Sequence, residues 1–193
     1  MLEENAIEGV ILAAGMSSRA GGFKPGLAIG GKPMLARCIE GMSNVCGRII
    51  VVGGHEVERL RSLVANLHGV VCVENPSYRK GMFTSVKAGL AMVRADRCFV
   101  LPVDIPLVPA SVYRTLLAID ADIVVPAYRG RNGHPVCLSK TVLPRILSEP
   151  DDSSLREAIR ALGVCTVDVD AEEILMDVDT PQDYEAICRR ILG

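Results

Sequence analysis

Short apolar runs at residues 9–13, 48–52, 70–73, 98–103 and 123–126 alternate with amphipathic stretches at 33–45, 56–67, 82–93 and 110–119. Strands that read as continuous apolar runs are buried on both faces, and strands that alternate with helices are joined by crossovers into a parallel sheet. The pattern therefore predicts an α/β chain, a mostly parallel sheet with helices on both faces. Further along, residues 128–133 read as a turn, 134–139 as a strand, 155–162 as a helix, 164–169 as a strand and 182–192 as the closing helix. Pro33 is expected at a first helical position, Pro109 or Ser111 at another helix start, and Thr180-Pro181 as N-cap and first residue of the closing helix. With 193 residues, 49% of them apolar, and no repeat, linker or low-complexity tract, residues 1–193 are read as a single domain with a substantial core.

Several function classes drop out on composition. The longest apolar runs, residues 10–14 and 98–103, fall far short of the roughly 20 residues a spanning helix needs, so no membrane association is expected. No basic segment followed by a long apolar stretch and a cleavage site opens the chain. The 7 cysteines are odd in number and contain no C-x-x-C pair, which points to buried, reduced thiols and a cytoplasmic location. A net charge of −2 argues against general nucleic-acid binding. The charge is unevenly placed: residues 9–39 hold Arg19, Lys24, Lys32 and Arg37 with no acid, whereas residues 168–185 are rich in Asp and Glu with no Lys or Arg.

The basic part contains Leu12-Ala13-Ala14-Gly15-Met16-Ser17-Ser18-Arg19-Ala20-Gly21-Gly22-Phe23-Lys24, directly after the first apolar run. Glycines and small neighbours let successive N–H groups approach phosphate oxygens, while Arg19 and Lys24 add a planar fork and a point charge. The segment reads as a nucleotide-binding loop, although glycines alone would equally serve a plain strand-to-helix turn. It is neither G-x-G-x-x-G nor G-x-x-x-x-G-K-[ST], which disfavours a dinucleotide site and a Walker loop.

In an open α/β sheet, ligands bind at the carboxyl ends of the strands. Three more candidates fall there. Asp104, in Leu101-Pro102-Val103-Asp104-Ile105-Pro106, follows a buried strand between prolines and suits a magnesium ligand, or else caps a turn. Asp177 and Asp179 precede the closing helix, and either could join Asp104 on one ion; Asp179 could instead favour the helix N-terminus. The loop from Asn75 to Ser85 offers Gly81 for close backbone approach and the Ser85 hydroxyl for a base edge. His134 stands without a nucleophile in any recognisable elbow, so a positioning role fits it better than general-base work. His55 and His68 read as structural or surface residues.

Taken together, LAAGMSSRAGGFK at 12–24, GGKPML at 30–35, the 75–85 loop, LPVDIPLV at 101–108, GRNGHPV at 130–136 and DVDTPQDY at 177–184 resemble the MobA-like nucleotidyltransferases, and among them the molybdenum cofactor cytidylyltransferases. The resemblance implies a Rossmann-like nucleotidyltransferase fold. It further implies that Leu12, Ala13, Ala14, Gly15, Gly81 and Ser85 contact the nucleotide, with Arg19 and Lys24 on its phosphates. Mg2+ would be held by Asp104 with Asp177, preferred to Asp179, and His134 would lie on the acceptor side. The implied partners are CTP or GTP, a molybdopterin-type acceptor, and a molybdoenzyme or its chaperone as receiver. The chain departs from the family at Ala20, at Pro25-Gly26-Leu27, and in Asp151-Asp152-Ser153-Ser154-Leu155-Arg156, where Asp151 and Ser154 replace the glycines of G-D-x-G-x-R. The implied reaction is magnesium-dependent transfer of CMP from CTP to molybdopterin with release of pyrophosphate. Two alternatives stand beside it: GTP-dependent guanylyl transfer to molybdopterin or another phosphorylated metabolite, and a chaperone that binds the cofactor without turnover.

Overall fold

The computed structural model describes residues 7–15 and 22–192. In chain order the elements are β1 (Ile7–Leu12), β2 (Ala28–Ile29), β3 (Lys32–Pro33), α1 (Met34–Ser43), β4 (Arg48–Gly53), α2 (Val57–Val64), β5 (Val70–Glu74), α3 (Met82–Leu90), β6 (Arg97–Pro102), α4 (Ala110–Leu117), β7 (Ile123–Tyr128), β8 (Arg131–Asn132), β9 (Val136–Ser139), α5 (Leu143–Ser148), α6 (Leu155–Arg160), β10 (Cys165–Asp168) and α7 (Pro181–Leu192). The main sheet runs β10-β7-β9-β6-β1-β4-β5, with β8 paired to β7. β5, β4, β1 and β6 are mutually parallel, as are β7 and β10, and β9 runs antiparallel between β6 and β7.

Every residue of β1 is buried, which accounts for the apolar run from Gly9 onward, and the one buried acid in the strand, Glu8, is paired with Arg48 at 2.6 Å. Alternate side chains feed different layers. Ile11 and Ala13 pack with α1, α2 and α4 through Leu35, Ile39, Leu60 and Val112, whereas Val10 and Leu12 pack with α3, α5 and α6 through Phe83, Val86, Ile146 and Ile159. A third cluster of Ile29, Met34, Val178 and Ile187 lies apart from the sheet. It ties the β2–β3 hairpin and the start of α1 to α7.

The boundaries depart from the sequence expectation where side chains settle a turn. Pro33 ends β3 in an extended conformation as the N-cap, so α1 begins at Met34 rather than at the proline. The 128–133 turn is a hairpin: Arg129 (φ 50°) and Gly130 (φ 76°) join β7 to the two-residue β8. Thr180 does cap α7, and Asp183 completes the reciprocal pair. The Asp183 N–H donates to Thr180 Oγ1 at 3.2 Å, and the Thr180 N–H donates to Asp183 Oδ2 at 2.7 Å. The task offered to Asp179 thus falls to Asp183.

Gly89 on α3 is where the helix meets the sheet most closely: a Cβ there would lie 2.4 Å from Val10 Cγ1 and 2.9 Å from Val52 Cγ2. Alanine gains about 1 kcal/mol of helix propensity over glycine. That gain is smaller than the overlap costs, so Gly89→Ala is expected to destabilise the chain by about 1–3 kcal/mol net. Denaturant unfolding checks this; unchanged or higher stability would contradict the close packing.

Candidate active site

The parallel register places the site. Leu12 of β1 lies opposite Pro102 of β6, so the residues that leave these two strands emerge side by side. Two backbone bonds hold that exit: the Val103 N–H donates to the Leu12 carbonyl at 3.0 Å, and the Ala13 N–H to the Val52 carbonyl at 2.9 Å. Asp104 is thereby fixed beside Ala13, Ala14 and Gly15, and together they line a cavity of about 180 Å3 with Leu12, Lys24 and Ser85.

Lys24 reaches this point from a 3-10 turn, Lys24–Gly26, in which Pro25 is buried and the Leu27 N–H donates back to the Lys24 carbonyl at 3.0 Å. Its Nζ lies 2.8 Å from Asp179 Oδ1 and 3.6 Å from Asp104 Oδ2. Asp179 is brought there because Val178 is fully buried in the third cluster and its N–H donates to the Asp104 carbonyl at 2.9 Å. Asp177 and Asp179 flank that buried valine and are both exposed. Burial pushes the Asp104 carboxyl above its ordinary range, and the nearby Asp179 and Asp177 charges add to this, outweighing the opposing effect of Lys24.

Two of the four cations in the basic segment are spent structurally. Arg37 donates to the carbonyls of Ile29 and Gly30, holding the hairpin, and Lys32 pairs with Glu40 at 2.7 Å. Arg19 lies outside the described residues. The acidic segment is likewise partly spoken for, since Glu172 and Glu173 both pair with Arg190.

On the opposite wall, Asn75 organises the 75–85 loop. Its Nδ2 donates to Thr84 Oγ1 at 2.8 Å and to Ser85 Oγ at 2.9 Å, and its Oδ1 accepts from the Ser77 N–H at 2.9 Å. Ser85 is buried and keeps its own hydroxyl proton for another acceptor. Gly81 is not in the lining; its φ of 131° turns the chain into α3, a conformation that side chains rarely adopt. The Tyr78 and Met82 side chains complete the wall. The sequence reading passed over Asn75 as an organiser; the Asn-Pro-Ser run at the end of β5 was its only local signal.

His134 sits elsewhere, in the wall of a second cavity of about 400 Å3 bounded by α6, β7, β9 and β10. Its backbone N–H donates to the Ile174 carbonyl at 3.0 Å, and its Nδ1 is buried with no hydrogen-bond partner among the described residues. Burial lowers its pKa to about 4, against a hydrogen bond with the Val100 backbone that acts the other way.

Among the described residues no three His, Cys, Asp or Glu side chains form a ready metal cage. Asp104 with Asp177 or Asp179 nonetheless fits magnesium, which takes one or two carboxylates and completes its shell with water and substrate phosphate. The donor set is hard oxygen, and the acids already attract one cation, the Lys24 ammonium.

Comparison with known proteins agrees with this arrangement. The profile of the MobA-like NTP transferase domain matches residues 9–166. The chain belongs to that family. It is a nucleotidyltransferase with a Rossmann-like fold, as the resemblance implied. The chain is 32% identical to the molybdenum cofactor cytidylyltransferase of Escherichia coli K12, covering 93% of this chain and 94% of the relative. It is 24% identical to a probable molybdenum cofactor guanylyltransferase of Carboxydothermus hydrogenoformans, covering 93% of each. Among solved structures, Rv0371c of Mycobacterium tuberculosis H37Rv superposes with a TM-score of 0.81 at 26% identity, covering 95% of this chain and 98% of that one. A manganese complex of the same protein superposes at 0.75 with 25% identity, covering 95% and 98%. No described helix of this nucleotidyltransferase is long and apolar enough to cross a membrane.

The depressed pKa of His134 links protonation to folding. Its folded value of about 4 lies below the ordinary 6.5, so between those values the unfolded chain binds more protons. This contribution to stability is complete above about pH 6.5 and is lost as the pH falls towards 4. Wild type is therefore expected to lose more stability than His134→Gln between pH 7 and 4.5, with a difference of about 2 kcal/mol. Denaturant unfolding across that range checks it; parallel curves would contradict a buried, neutral imidazole.

Proposed function

We propose that this chain transfers CMP from CTP to a molybdopterin-type acceptor, with magnesium, releasing pyrophosphate. The observation that carries the reading is the charge arrangement at the strand ends, with Lys24 between Asp104 and Asp179 at the mouth of a cavity whose other walls are backbone of the first loop and the buried Ser85. A triphosphate needs cations, and its metal needs carboxylates. This site offers both within a few ångströms.

The names of the relatives support the acceptor and the base. The two relatives named above are a molybdenum cofactor cytidylyltransferase and a probable molybdenum cofactor guanylyltransferase, and over nearly the full chain the cytidylyltransferase is the more similar of the two, at 32% against 24%. The acceptor phosphate attacks the α-phosphorus in line, and pyrophosphate leaves. Such transfer needs positioning and charge neutralisation rather than a protein nucleophile. Asp104, with Asp177 or Asp179, would hold Mg2+, which supplies charge neutralisation to phosphate oxygens. Lys24 turns from Asp179 to the phosphates and offsets the charge that builds on them. The backbone at Leu12, Ala13, Ala14 and Gly15 and the Ser85 hydroxyl hold the nucleoside, and Arg19 in the first loop joins Lys24 on the phosphates. His134 is neutral at working pH and belongs to the acceptor's side.

Pyrophosphate release with magnesium and each of CTP, GTP, ATP and UTP, with and without molybdenum-loaded molybdopterin, tests this directly. Release is expected with CTP and only when the acceptor is present; a preference for GTP would move the protein to the guanylyl branch, and silence with all four would overturn transfer. In the same assay Lys24→Ala is expected to lower kcat by about 10²–10³ while the fold is retained.

A further inference from the structure

We propose that the second cavity is a binding site for a compact anion with a flat or apolar body, clamped by Arg156 and Arg160, and that on the transfer reading it seats the end of the acceptor remote from the attacking phosphate.

The first observation is a pair of uncommitted cations. Arg156 and Arg160 lie four residues apart on α6, both exposed and both in the lining of the cavity. Neither has an ion pair or side-chain hydrogen bond among the described residues, whereas Arg48, Arg61, Arg97, Arg145 and Arg190 are all engaged. Like charges at this spacing repel, so the pair costs stability unless an anion stands between them. Glu157, the acid next to Arg156 on the same helix, is drawn away: its N–H and carboxylate both bond the Ser154 hydroxyl, at 3.2 and 2.8 Å.

The second observation is the lining below the arginines. Val125, Val136 and Ile159 supply an apolar floor, and Asn132 and Thr166 supply exposed polar groups at the rim. His134 adds the buried Nδ1 that has no hydrogen-bond partner among the described residues. A volume of about 400 Å3 with an apolar floor and a few convergent polar groups suits a small molecule rather than a chain segment.

The third observation is that this cavity is mechanically tied to the first. The segment from Ile174 to Val178 accepts from the His134 N–H at one end, 3.0 Å, and donates to the Asp104 carbonyl at the other, 2.9 Å. Gly133 makes the first of these contacts possible, because a Cβ there would lie 2.5 Å from the Ile174 carbonyl oxygen. On the helical side, α3 carries Ser85 into the first cavity, and Lys87 two residues later donates to the Glu149 carbonyl at 2.9 Å and to Asp151 Oδ1 at 2.8 Å. Lys87 thus holds the loop that leads into α6. Asp151, which stands where the family pattern has glycine, is half of that tie.

The test is equilibrium binding of isolated molybdopterin in the absence of nucleotide, alongside binding of CTP. Arg156→Ala and Arg160→Ala are each expected to weaken molybdopterin about tenfold, as loss of a charge-assisted contact does. Arg156→Lys should recover part of the loss, added salt should weaken wild type more than the double variant, CTP affinity should stay at the wild-type value, and the thermal midpoint without ligand should not fall, since each alanine relieves the repulsion between the two arginines. Molybdopterin bound as tightly by the double variant as by wild type would overturn the assignment and leave the transfer reading standing. No molybdopterin binding by wild type, together with no pyrophosphate release, would overturn both.

Discussion

The site depends on one juxtaposition at the edge of the core: the Lys24 ammonium between the half-buried Asp104 and the exposed Asp179 carboxylates. Three distant stretches of chain must meet for it to form, and each is held for a separate reason. Asp104 is fixed by the β1–β6 register, Lys24 by the buried Pro25 turn, and Asp179 by Val178 in the cluster with Ile29, Met34 and Ile187. Tyr184 reinforces the last of these, donating from α7 to the Ala28 carbonyl at 2.6 Å. An acid at the edge of the core is costly to ionise. The lysine offsets part of that cost, and a metal with a triphosphate would take over both halves of the arrangement.

The same logic explains what the site lacks. Ser85, the hydroxyl in the first cavity, is committed as an acceptor to Asn75, and the buried thiols of Cys38, Cys98 and Cys137 are held well above their ordinary pKa by desolvation. Neutral thiols are poor nucleophiles, and an imidazole with a pKa of about 4 in the other cavity is too weak a base and too far removed to activate Ser85. The geometry instead favours direct displacement between two bound substrates, with the sheet ends as a rigid platform.

How much of this could be read in the sequence follows from how local each feature is. β1, β4 and β6 announced themselves because burial on both faces demands unbroken apolar runs. The two-residue strands β2, β3 and β8 are too short to show any period, so the hairpin that follows the Lys24 turn was not anticipated. α5 was missed because its six residues begin with Leu-Pro and follow directly on another short turn. Lys24, Asp104 and Asp179 were each identified as chemistry-bearing residues, yet their meeting is a tertiary fact across as many as 155 positions. Charge counting misled in one respect: Lys32 and Arg37 raised the apparent basicity of the first segment, but hold their own hairpin and helix. Of the second cavity the sequence showed only separate pieces, His134 in GRNGHPV and Arg156 in the 151–156 pattern, and not their meeting, since α6, β9 and β10 converge from separate stretches of the chain.

The central claim is that the acids at the strand ends hold the metal of a bound nucleotide. Titration of Mn2+ into the protein in the presence of CTP, followed by electron paramagnetic resonance, tests it most directly. The account predicts saturable binding by wild type and binding at least about tenfold weaker in Asp104→Asn with the fold intact, because a hard cation loses a carboxylate ligand. Equal affinity in the two proteins would place the metal elsewhere and contradict the account.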